Sequence, residues 1–447
     1  MTGVQTGAPR QMVRAQQRLG AFSPPAQRIA LIQVTSRPCI MQIDEVAPVR
    51  FRNPGGSLWI YGPKHAFRRL MKRHTPLGVE EGFFDSAPRD SSRVKRQIVT
   101  EYFDYYMRVM ARSGKTAGYV DLFAGPGIYG GGEESIPIII CKQVVSDPRL
   151  RASVKLWFNE GDPINYEKLK ANIAAVPGIR TLANVPRVTP YVISESFAPR
   201  LAGMRTPSFV FADPCGYKGL SLRLIASALK PFGNDCIFFL SYNRINMKIS
   251  YSVMTESINA FFETARAEQV REDIRSIEGP QGRERIILAA VTKALKEEAN
   301  AHSLTFGFRT REGGGTSHHL VYATKNAKAQ NQMKRIYTKA SSDQSDGVGS
   351  LDYDPHDAEP GTLSLFSPLD EVRDRLLQCF VGRTLTFDDL ILAEADTRFT
   401  DSAYRNTLLD LEQEGIVTMN PPAEQRRLRP GGERRSLPGS TSITFPG

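Results

Sequence analysis

The sequence predicts an α/β fold: a mainly parallel sheet with helices packed on both of its faces. Between about residue 92 and residue 240, short apolar runs alternate with helical stretches, and each apolar run ends in an acidic or polar residue. This alternation is typical of parallel strands joined by crossover helices. Two later apolar runs, 304–309 and 318–323, flank a turn of three glycines and predict an added strand pair at one side of the sheet.

Composition places the chain among globular proteins without a membrane span. It has 447 residues, enough for two or three domains, and hydrophobic residues make up 41% of it. No continuous apolar run is long enough to span a bilayer, and the basic N-terminus lacks the apolar core of a signal peptide. The five cysteines are scattered and form neither a metal-ligand spacing nor a disulfide framework, so we expect a cytoplasmic protein.

The net charge of +11 is concentrated at the start of the chain. We predict a basic, partly disordered N-terminal extension over residues 1–84, which either contacts the phosphates of nucleic acid or serves as a solubilising tail. Composition also predicts a sheet domain over 85–340, a linker rich in Ser, Asp and Gly over 341–361, and a small module over 362–447.

The sheet domain begins with a helix predicted from Ser92 to Arg112. Ser91 or Ser92 can cap its N-terminus, and Gly114 ends it. Apolar residues recur at every fourth position, namely Val94, Ile98, Tyr102, Tyr106 and Met110. Together with their neighbours they give the helix one broad apolar face.

The first strand, predicted over 118–122, runs directly into the sequence Asp-Leu-Phe-Ala-Gly-Pro-Gly. Glycine suits such a turn because the backbone must bend sharply and let a ligand approach without a Cβ in the way. Asp121, Phe123, Gly125 and Gly127 are therefore candidates for binding a nucleotide-like ligand. The alternative is an ordinary strand followed by a Gly-Pro turn.

The next two strand ends are expected at the same edge, because ligands of open α/β sheets bind at the carboxyl ends of strands. The second strand, over 155–159, ends at Glu160, whose two carboxylate oxygens suit two ribose hydroxyls. The third strand, over 188–193, ends at Ser194 and Glu195, which are candidates for the adenine side of such a ligand.

The fourth strand, over 208–212, ends at Asp213, which we predict to face the same crevice as the earlier acidic residues. Asp213 is the candidate for orienting an acceptor or taking its proton, unless it only caps the next turn. Cys215 and Tyr217 follow as further catalytic candidates. The alternative for Cys215 as a nucleophile is a buried, inert thiol.

The fifth strand, over 236–240, is followed by Tyr242, Asn243 and Arg244. Hydroxyl, amide and guanidinium donors at a strand end suit recognition of a substrate or a phosphate, and a solvated loop is the alternative. His318 and His319 are adjacent on a predicted strand, so they point to opposite faces and cannot act as paired metal ligands.

The last module is predicted to have three helices, at about 367–381, 386–395 and 400–414. A strand at 417–419, a basic segment at 426–435 and a returning strand at 442–445 predict a β-hairpin with a basic tip. This pattern resembles a winged helix, which contacts nucleic acid through a helix and the wing. The last helix is mainly acidic, however, so contact with a protein is the alternative.

With these motifs in order, the chain resembles the three-Cys-motif partner (TcmP) family, whose members look like S-adenosylmethionine (SAM) methyltransferases. The matching segments are 92–98, 119–129, 211–219 and 242–246. The resemblance implies a Rossmann-like methyltransferase sheet, SAM as the cofactor, and a separate partner protein with a three-cysteine motif. The family has an aromatic residue where this chain has Cys215, which weakens any chemistry assigned to that thiol.

Three functions follow as hypotheses. The first is SAM-dependent methyl transfer, performed with the partner protein on a nucleic acid or a nucleotide. The second is a non-catalytic subunit that retains the nucleotide-binding crevice. The third is a metal-dependent nuclease or phosphoryl-transfer enzyme built on Asp121, Glu160 and Asp213, although the glycine turn lacks the Lys-Ser/Thr ending of a phosphate-binding loop.

Overall fold

The computed structural model describes the backbone of three N-terminal strands and most of the chain from residue 90 onward. The gaps after residue 90 are 215–218, 250–254, 278, 311–314, 345–347, 356–367 and 429–434. The N-terminal strands are β1 (Ala30–Val34), β2 (Val49–Asn53) and β3 (Gly56–Tyr61), which form an antiparallel sheet in the order β1-β3-β2. The rest of the predicted extension, including its predicted disorder, lies outside the described residues.

From residue 90 onward, helices and strands alternate as predicted. The first elements are α1 (Asp90–Arg112), β4 (Ala117–Asp121), α2 (Ile136–Ser146), α3 (Pro148–Ser153), β5 (Val154–Asn159), α4 (Pro163–Ala174) and β6 (Arg187–Thr189). They are followed by α5 (Ala198–Ala202), β7 (Ser208–Ala212), α6 (Leu222–Leu229), β8 (Asp235–Leu240) and α7 (Tyr242–Ile249). The domain continues with α8 (Thr255–Phe262), α9 (Thr264–Arg275), α10 (Pro280–Ala299), β9 (His302–Arg309), β10 (Thr316–Thr324), α11 (Ala327–Ala340) and β11 (Asp352–Tyr353).

The strands β4 to β11 form one eight-stranded sheet in the order β11-β9-β10-β8-β7-β4-β5-β6. The five strands β4 to β8 are parallel, and β10 runs antiparallel to both β8 and β9. Numbered along the chain, the parallel strands lie in the order 3-2-1-4-5, with the antiparallel strand next to the fifth. This is the Rossmann-like arrangement of SAM methyltransferases, so the predicted fold class is confirmed.

Apolar layers cover both faces of this sheet. On one face, which we call the α1 face, α1, α2, α4 and α11 pack against the strands. The helices α5 to α10 pack on the opposite face. The predicted apolar face of α1 is present, and its buried residues are Ile98, Val99, Tyr102, Phe103, Tyr106 and Met107. None of the helices in the described part of the chain combines the length and the apolarity needed to cross a bilayer.

A buried polar network fastens α1 to the end of the sheet at which β8 begins. Tyr102 donates to Asp235, with 2.6 Å between the hydroxyl and carboxylate oxygens, and Thr324 donates to the other carboxylate oxygen. The hydroxyl of Tyr322 lies 2.6 Å from that of Tyr102. Burial raises the pKa of Asp235 to about 6, and the two hydroxyl donors oppose this rise. This carboxylate is therefore buried but well supplied with donors.

The third strand is shorter than the predicted 188–193 because a side chain replaces its last ladder hydrogen bonds. The amide of Asn159 accepts a hydrogen bond from the backbone N–H of Tyr191 at 3.0 Å and donates to its carbonyl at 2.9 Å. The chain leaves the sheet after Thr189 but stays fastened to the end of β5. This fastening brings the third strand end close to the second.

Part of the predicted linker over 341–361 belongs to the sheet domain. The strand β11 pairs in parallel with β9, and the hydroxyl of Ser341 accepts the backbone N–H of Leu351 at 3.0 Å. Val348 is buried as well, but in the apolar cluster of the C-terminal module. Ser341, Leu351 and β11 therefore connect the described part of this segment to the sheet domain, and 345–347 and 356–361 lie outside the described residues.

The C-terminal module contains the three predicted helices and the predicted hairpin strands. Its elements are α12 (Pro368–Cys379), β12 (Thr384–Thr386), α13 (Phe387–Ala393), α14 (Asp401–Gln413), β13 (Thr418–Asn420) and β14 (Ser442–Thr444). The strands form an antiparallel sheet in the order β12-β14-β13, and β12 was not predicted. The resemblance of this module to a winged helix stays a prediction.

Candidate functional site

The acidic candidates lie at one edge of the sheet. In the strand register, Asp121 at the end of β4 lies between Phe158 of β5 and Phe211 of β7. Glu160 and Asp213 each follow these phenylalanines by two residues. The charges of Asp213 and Glu160 both raise the pKa of Asp121, so the three carboxyl groups share one electrostatic environment. The structure thus brings together three side chains from separate strands.

Asp121 has few hydrogen-bond donors for a buried carboxyl group. Only 1% of its surface is exposed. Its Oδ1 accepts the backbone N–H of Phe123 at 3.1 Å, and the hydroxyl of Tyr119 lies 3.4 Å from its Oδ2. Burial is the main cause that raises the pKa of Asp121 to about 8, and the two donors offset it only in part. A buried carboxyl group with a perturbed pKa at a strand end is typical of a ligand site.

The glycine turn after β4 is held in one conformation by the helices beside it. Gly125 and Gly127 have φ angles of 67° and 89°, in the region where residues with a Cβ are strained. The carbonyl of Gly127 accepts two hydrogen bonds from Ser135, from its N–H at 2.9 Å and from its hydroxyl at 2.8 Å. A Cβ on Gly127 would lie 3.3 Å from side chains of α2 and α4. The positive φ angle and the close side chains together favour glycine at this position.

Glu160 connects the end of β5 to this glycine turn. Its Oε2 accepts the backbone N–H of Gly125 at 2.8 Å, and its Oε1 accepts that of Asp162 at 2.8 Å. Burial raises the pKa of Glu160, and these backbone donors oppose the rise. Each carboxylate oxygen has a second lone pair, so the group can accept two ribose hydroxyls while it holds the turn.

Two exposed apolar side chains lie on the loops beside Glu160, and sequence reasoning missed both. Ile164 at the start of α4 is 69% exposed, and Val192 after β6 is 75% exposed. Gly161 lets the two loops approach, since a Cβ there would lie 3.3 Å from the carbonyl oxygen of Tyr191. Apolar side chains next to a polar anchor suit the faces of a heterocyclic ring. The only signal in the sequence was their position just past two strand ends.

Ser194 and Glu195 lie at the start of a short 3-10 turn that follows β6. Glu195 accepts a hydrogen bond from the hydroxyl of Ser221, the N-cap of α6, and lies 3.8 Å from Arg223. The hydroxyl of Ser194 lies 2.8 Å from that of Ser196. Glu195 therefore fastens the turn to α6, and the place of these two residues beside an adenine stays a prediction.

The loop after β7 closes against the third strand end. Gly219 has a φ angle of 86°, and a Cβ on it would lie 2.5 Å from the carbonyl oxygen of Ile193. The ring of Phe123 lies 3.8 Å from the position that a Cβ on Gly219 would take. Phe123, a candidate cofactor-binding residue, therefore lies next to the loop that follows β7. Cys215 and Tyr217, the other catalytic candidates, lie outside the described residues.

Asp213 has a partner that no strand-end motif predicts. Lys95 in the early part of α1 forms an ion pair with Oδ2 of Asp213. The ammonium of Lys95 also lies 5.2 Å from the centre of the Phe239 ring, near the end of β8. Helical periodicity does not distinguish Lys95 from its neighbours Arg93 and Arg96, because the contact depends on how α1 lies across the sheet.

Beyond Phe239, this edge of the sheet is lined by aromatic side chains. The ring of His318 lies 4.6 Å from that of Phe239 and stacks on Phe308 at 4.4 Å and 13°. Burial, followed by the charge of Lys95, holds the pKa of His318 well below its usual range. His319 instead lies 2.9 Å from a glutamate of α10, so the adjacent histidines point to opposite faces, as predicted.

For Tyr242, Asn243 and Arg244, the alternative of a solvated loop after the fifth strand is wrong. These residues begin α7, because Tyr242, Ile245 and Ile249 recur at helical spacing and are buried. The hydroxyl of Tyr242 donates to a backbone carbonyl at the start of α10 at 3.2 Å. Tyr242 is thus a core residue, whereas Asn243 and Arg244 are exposed and their contact with a substrate stays a prediction.

Two arginines of the C-terminal module make contacts within the module, although arginine side chains can also contact phosphates. Arg405 of α14 donates to a backbone carbonyl and lies 4.3 Å from the ring centre of Phe387. Arg426 is buried and forms an ion pair with Glu412. Residues 429–434 of the predicted basic tip lie outside the described residues. Contact of this module with nucleic acid stays a prediction that depends on that tip.

The arrangement of acidic residues does not favour the metal-dependent alternative. Among the residues that the structure describes, no three His, Cys, Asp or Glu side chains form a group suited to a metal ion. Asp213 is engaged by Lys95, and Glu160 is engaged by two backbone N–H groups.

No family model matches the chain, and no curated protein matches it. The methyltransferase domain of bacterial CtHen1-C is similar with a TM-score of 0.28 and 9% identity, over 52% of this chain and 100% of that one. The METTL16 methyltransferase domain gives a TM-score of 0.25 and 11% identity, over 62% and 86% of the two chains. Protein LPL1258 of Legionella pneumophila, of the family DUF519, gives 0.31 and 12%, over 54% and 86%. TM-scores this low carry no argument about the fold. The fold class is assigned instead from the strand order and the connectivity of the central sheet.

Proposed function

We propose that this chain is a SAM-dependent methyltransferase in which Glu160 and the glycine turn hold the cofactor. The observation that carries the proposal is a pair of hydrogen bonds, in which the Glu160 carboxylate accepts the backbone N–H groups of Gly125 and Asp162. Each carboxylate oxygen keeps a second lone pair that can accept a ribose hydroxyl. Asp121 lies on the neighbouring strand, in a sheet with the strand order of SAM methyltransferases. Ile164 and neighbouring loop residues supply apolar contact for the adenine.

The residues of this chain align an acceptor and take its proton. When bound, the cofactor supplies a methyl group activated by a sulfonium, so no further activation of that group is required. Asp213 follows directly after β7, the strand next to that of Asp121, and is the residue that we assign to the acceptor. Its carboxylate forms an ion pair with Lys95 at the strand end.

The same proposal includes the family suggested by the sequence motifs. As a three-Cys-motif partner protein, the chain would act together with a protein that carries a three-cysteine motif. A nucleic acid or a nucleotide is the proposed class of acceptor. Support for this finer assignment comes from the four sequence segments and from the basic charge of the chain.

One observation favours a second candidate, a SAM-binding subunit without catalytic activity. The carboxylate of Asp213 is engaged by Lys95, so the group assigned to the acceptor is not free in this structure. In that case the cofactor crevice would remain while another protein performs the chemistry. The two candidates share the cofactor site and differ only at Asp213.

Calorimetric titration with SAM and with its demethylated product tests the cofactor site. We expect the wild type to bind both, and we expect Glu160→Gln to bind roughly 10- to 100-fold more weakly, because charged hydrogen bonds to the ribose are lost. Glu167→Gln, on the exposed side of α4, is the matched control and should bind like the wild type. Failure of the wild type to bind either ligand would refute the assignment.

Transfer of an isotopically labelled methyl group separates the two candidates. The wild type, with and without a co-purified partner protein, is incubated with labelled SAM and with RNA, DNA or free nucleotides. Label on an acceptor supports the methyltransferase, and loss of label in Asp213→Asn supports the role of that carboxylate. Binding of SAM without transfer to any of these acceptors would favour the non-catalytic subunit.

A further inference from the structure

Lys95 occupies a position at the strand ends that suits a bound amine. Its ammonium lies between the carboxylate of Asp213, with which it forms an ion pair, and the ring of Phe239, whose centre is 5.2 Å away. A carboxylate on one side and an aromatic face on the other attract an organic ammonium by charge and by cation–π interaction. Only 14% of the Lys95 side chain and 21% of the Asp213 side chain are exposed, so water competes little.

The carboxylate and the ring that lie beside this ammonium belong to the sheet side of the site rather than to α1. Asp213 follows directly after β7, in the middle of the sheet. The Phe239 ring is supported by His318 at 4.6 Å, and His318 in turn stacks on Phe308 at 4.4 Å. Removal of the Lys95 side chain should therefore leave a cradle in which both recognition groups keep their places.

This cradle lies beside the crevice to which the cofactor is assigned. Asp213 follows the strand next to that of Asp121, and its charge contributes to the raised pKa of that carboxyl group. An amine held by Asp213 would lie at the boundary between the acidic and the aromatic strand ends. Lys95 comes from α1, a separate element, so it can leave the cradle without any change in the sheet.

We propose that Asp213 and Phe239 form a subsite for an amine that accepts a methyl group, and that the ammonium of Lys95 fills this subsite until an acceptor displaces it. The identity of the amine as a methyl acceptor rests on the proposed function, whereas the amine subsite itself does not. In the transfer, the acceptor ammonium gives a proton to the Asp213 carboxylate. The nitrogen lone pair then forms an N–C bond while the C–S bond of a sulfonium donor breaks, which leaves a neutral thioether.

Binding of n-propylammonium to the full-length protein tests the subsite. Lys95→Ala removes three methylenes and an ammonium, which n-propylammonium replaces atom for atom. Titration followed by nuclear magnetic resonance should show that Lys95→Ala binds n-propylammonium roughly tenfold more tightly than the wild type does, because the vacated charge site is filled again. Neutral n-propanol should show no such preference.

Matched variants separate the subsite from a general loosening of the fold. Lys95→Met fills the same space without the charge and should bind no n-propylammonium, while its melting temperature reports whether it folds. Adding Asp213→Asn to Lys95→Ala should weaken binding roughly tenfold. Equal affinity of the wild type and Lys95→Ala, or affinity unchanged by Asp213→Asn, would overturn the proposal. Binding of n-propylammonium without any binding of SAM would support the amine subsite and refute the methyltransferase.

Discussion

Two aspartates lie buried at opposite ends of the central sheet, and their surroundings differ. Asp235, where β8 begins, receives hydrogen bonds from the hydroxyls of Tyr102 and Thr324. Asp121, where β4 ends, receives one backbone N–H at 3.1 Å and one hydroxyl at 3.4 Å. Burial raises both pKa values, to about 6 for Asp235 and to about 8 for Asp121. Burial alone therefore does not mark a ligand site; the supply of donors distinguishes the two carboxyl groups.

The position of each aspartate in the sheet explains this difference. Asp235 lies at the amino end of a strand, where the covering helix α1 provides a tyrosine and the neighbouring strand β10 provides a threonine. Asp121 lies at the carboxyl end, where open α/β sheets bind their ligands. We infer that the first carboxylate stabilises the fold, whereas the second is completed by the donors or the positive charge of a ligand.

The largest expected effect is that of Asp235→Ala on stability. The substitution leaves buried hydroxyls without an acceptor, so the free energy of unfolding should fall by about 2–5 kcal/mol. Urea unfolding measures this change. The folded fraction should keep the cofactor affinity of the wild type, and a selective loss of that affinity would show that Asp235 is not purely structural.

The pH dependence of stability should differ between the wild type and Asp121→Asn. The pKa of Asp121 is raised on folding, to about 8 from an ordinary value of 3.8. Its contribution to stability is therefore complete below about pH 4 and is lost as the pH rises through about 8. Relative to Asp121→Asn, the wild type should lose up to about 1.4 kcal/mol per pH unit between about pH 5 and pH 8.

Urea unfolding of both proteins across this range checks the sign. Asp235 also titrates with a raised pKa, but it is present in both proteins, so its contribution cancels in the difference. Parallel curves of unfolding free energy against pH would mean that Asp121 is ionised in the folded protein throughout. If the wild type instead gained stability relative to Asp121→Asn as the pH rises, the pKa of Asp121 would be lowered on folding, and the prediction would be wrong.

The smallest expected effects on stability come from removing the tyrosine hydroxyls that donate hydrogen bonds to the two aspartates. Tyr102→Phe removes a buried hydroxyl that lies 2.6 Å from Asp235, and we expect a loss of about 1–2 kcal/mol. Tyr119→Phe removes a hydroxyl that lies 3.4 Å from Asp121, and we expect about 0.5 kcal/mol or less. Thermal unfolding of both variants measures the difference. Equal losses would show that the two carboxyl groups are equally well supplied with donors.

The sequence located the strand ends of the proposed cofactor site better than the contacts on the proposed acceptor side. Asp121, Gly125 and Gly127 could be found because a strand period changes abruptly into a turn that only glycine permits. Glu160 could be found because it follows a second apolar run, and the carboxyl ends of parallel strands share an edge. These features are local in the chain, so no tertiary information was required.

The parts that could not be predicted depend on contacts between distant elements. Lys95 reaches Asp213 only because α1 crosses the strand ends, and nothing in its own helix indicates this. Asn159 shortens the third strand through its side chain, which a strand pattern does not show. The helix at Tyr242 is a different case, because the spacing of its buried residues was visible in the sequence, whereas its polar side chains were interpreted only as donors at a strand end.

Proton release on cofactor binding is the measurement that tests the role of Asp121 most directly. At about pH 7, the raised pKa keeps this carboxyl group mostly protonated in the ligand-free protein, and a positively charged ligand beside it would favour ionisation. Calorimetric titrations with SAM in two buffers of different ionisation enthalpy give the number of protons released. We predict release of most of one proton from the wild type and little from Asp121→Asn. Binding without proton release from the wild type, or the same release from both proteins, would contradict the account.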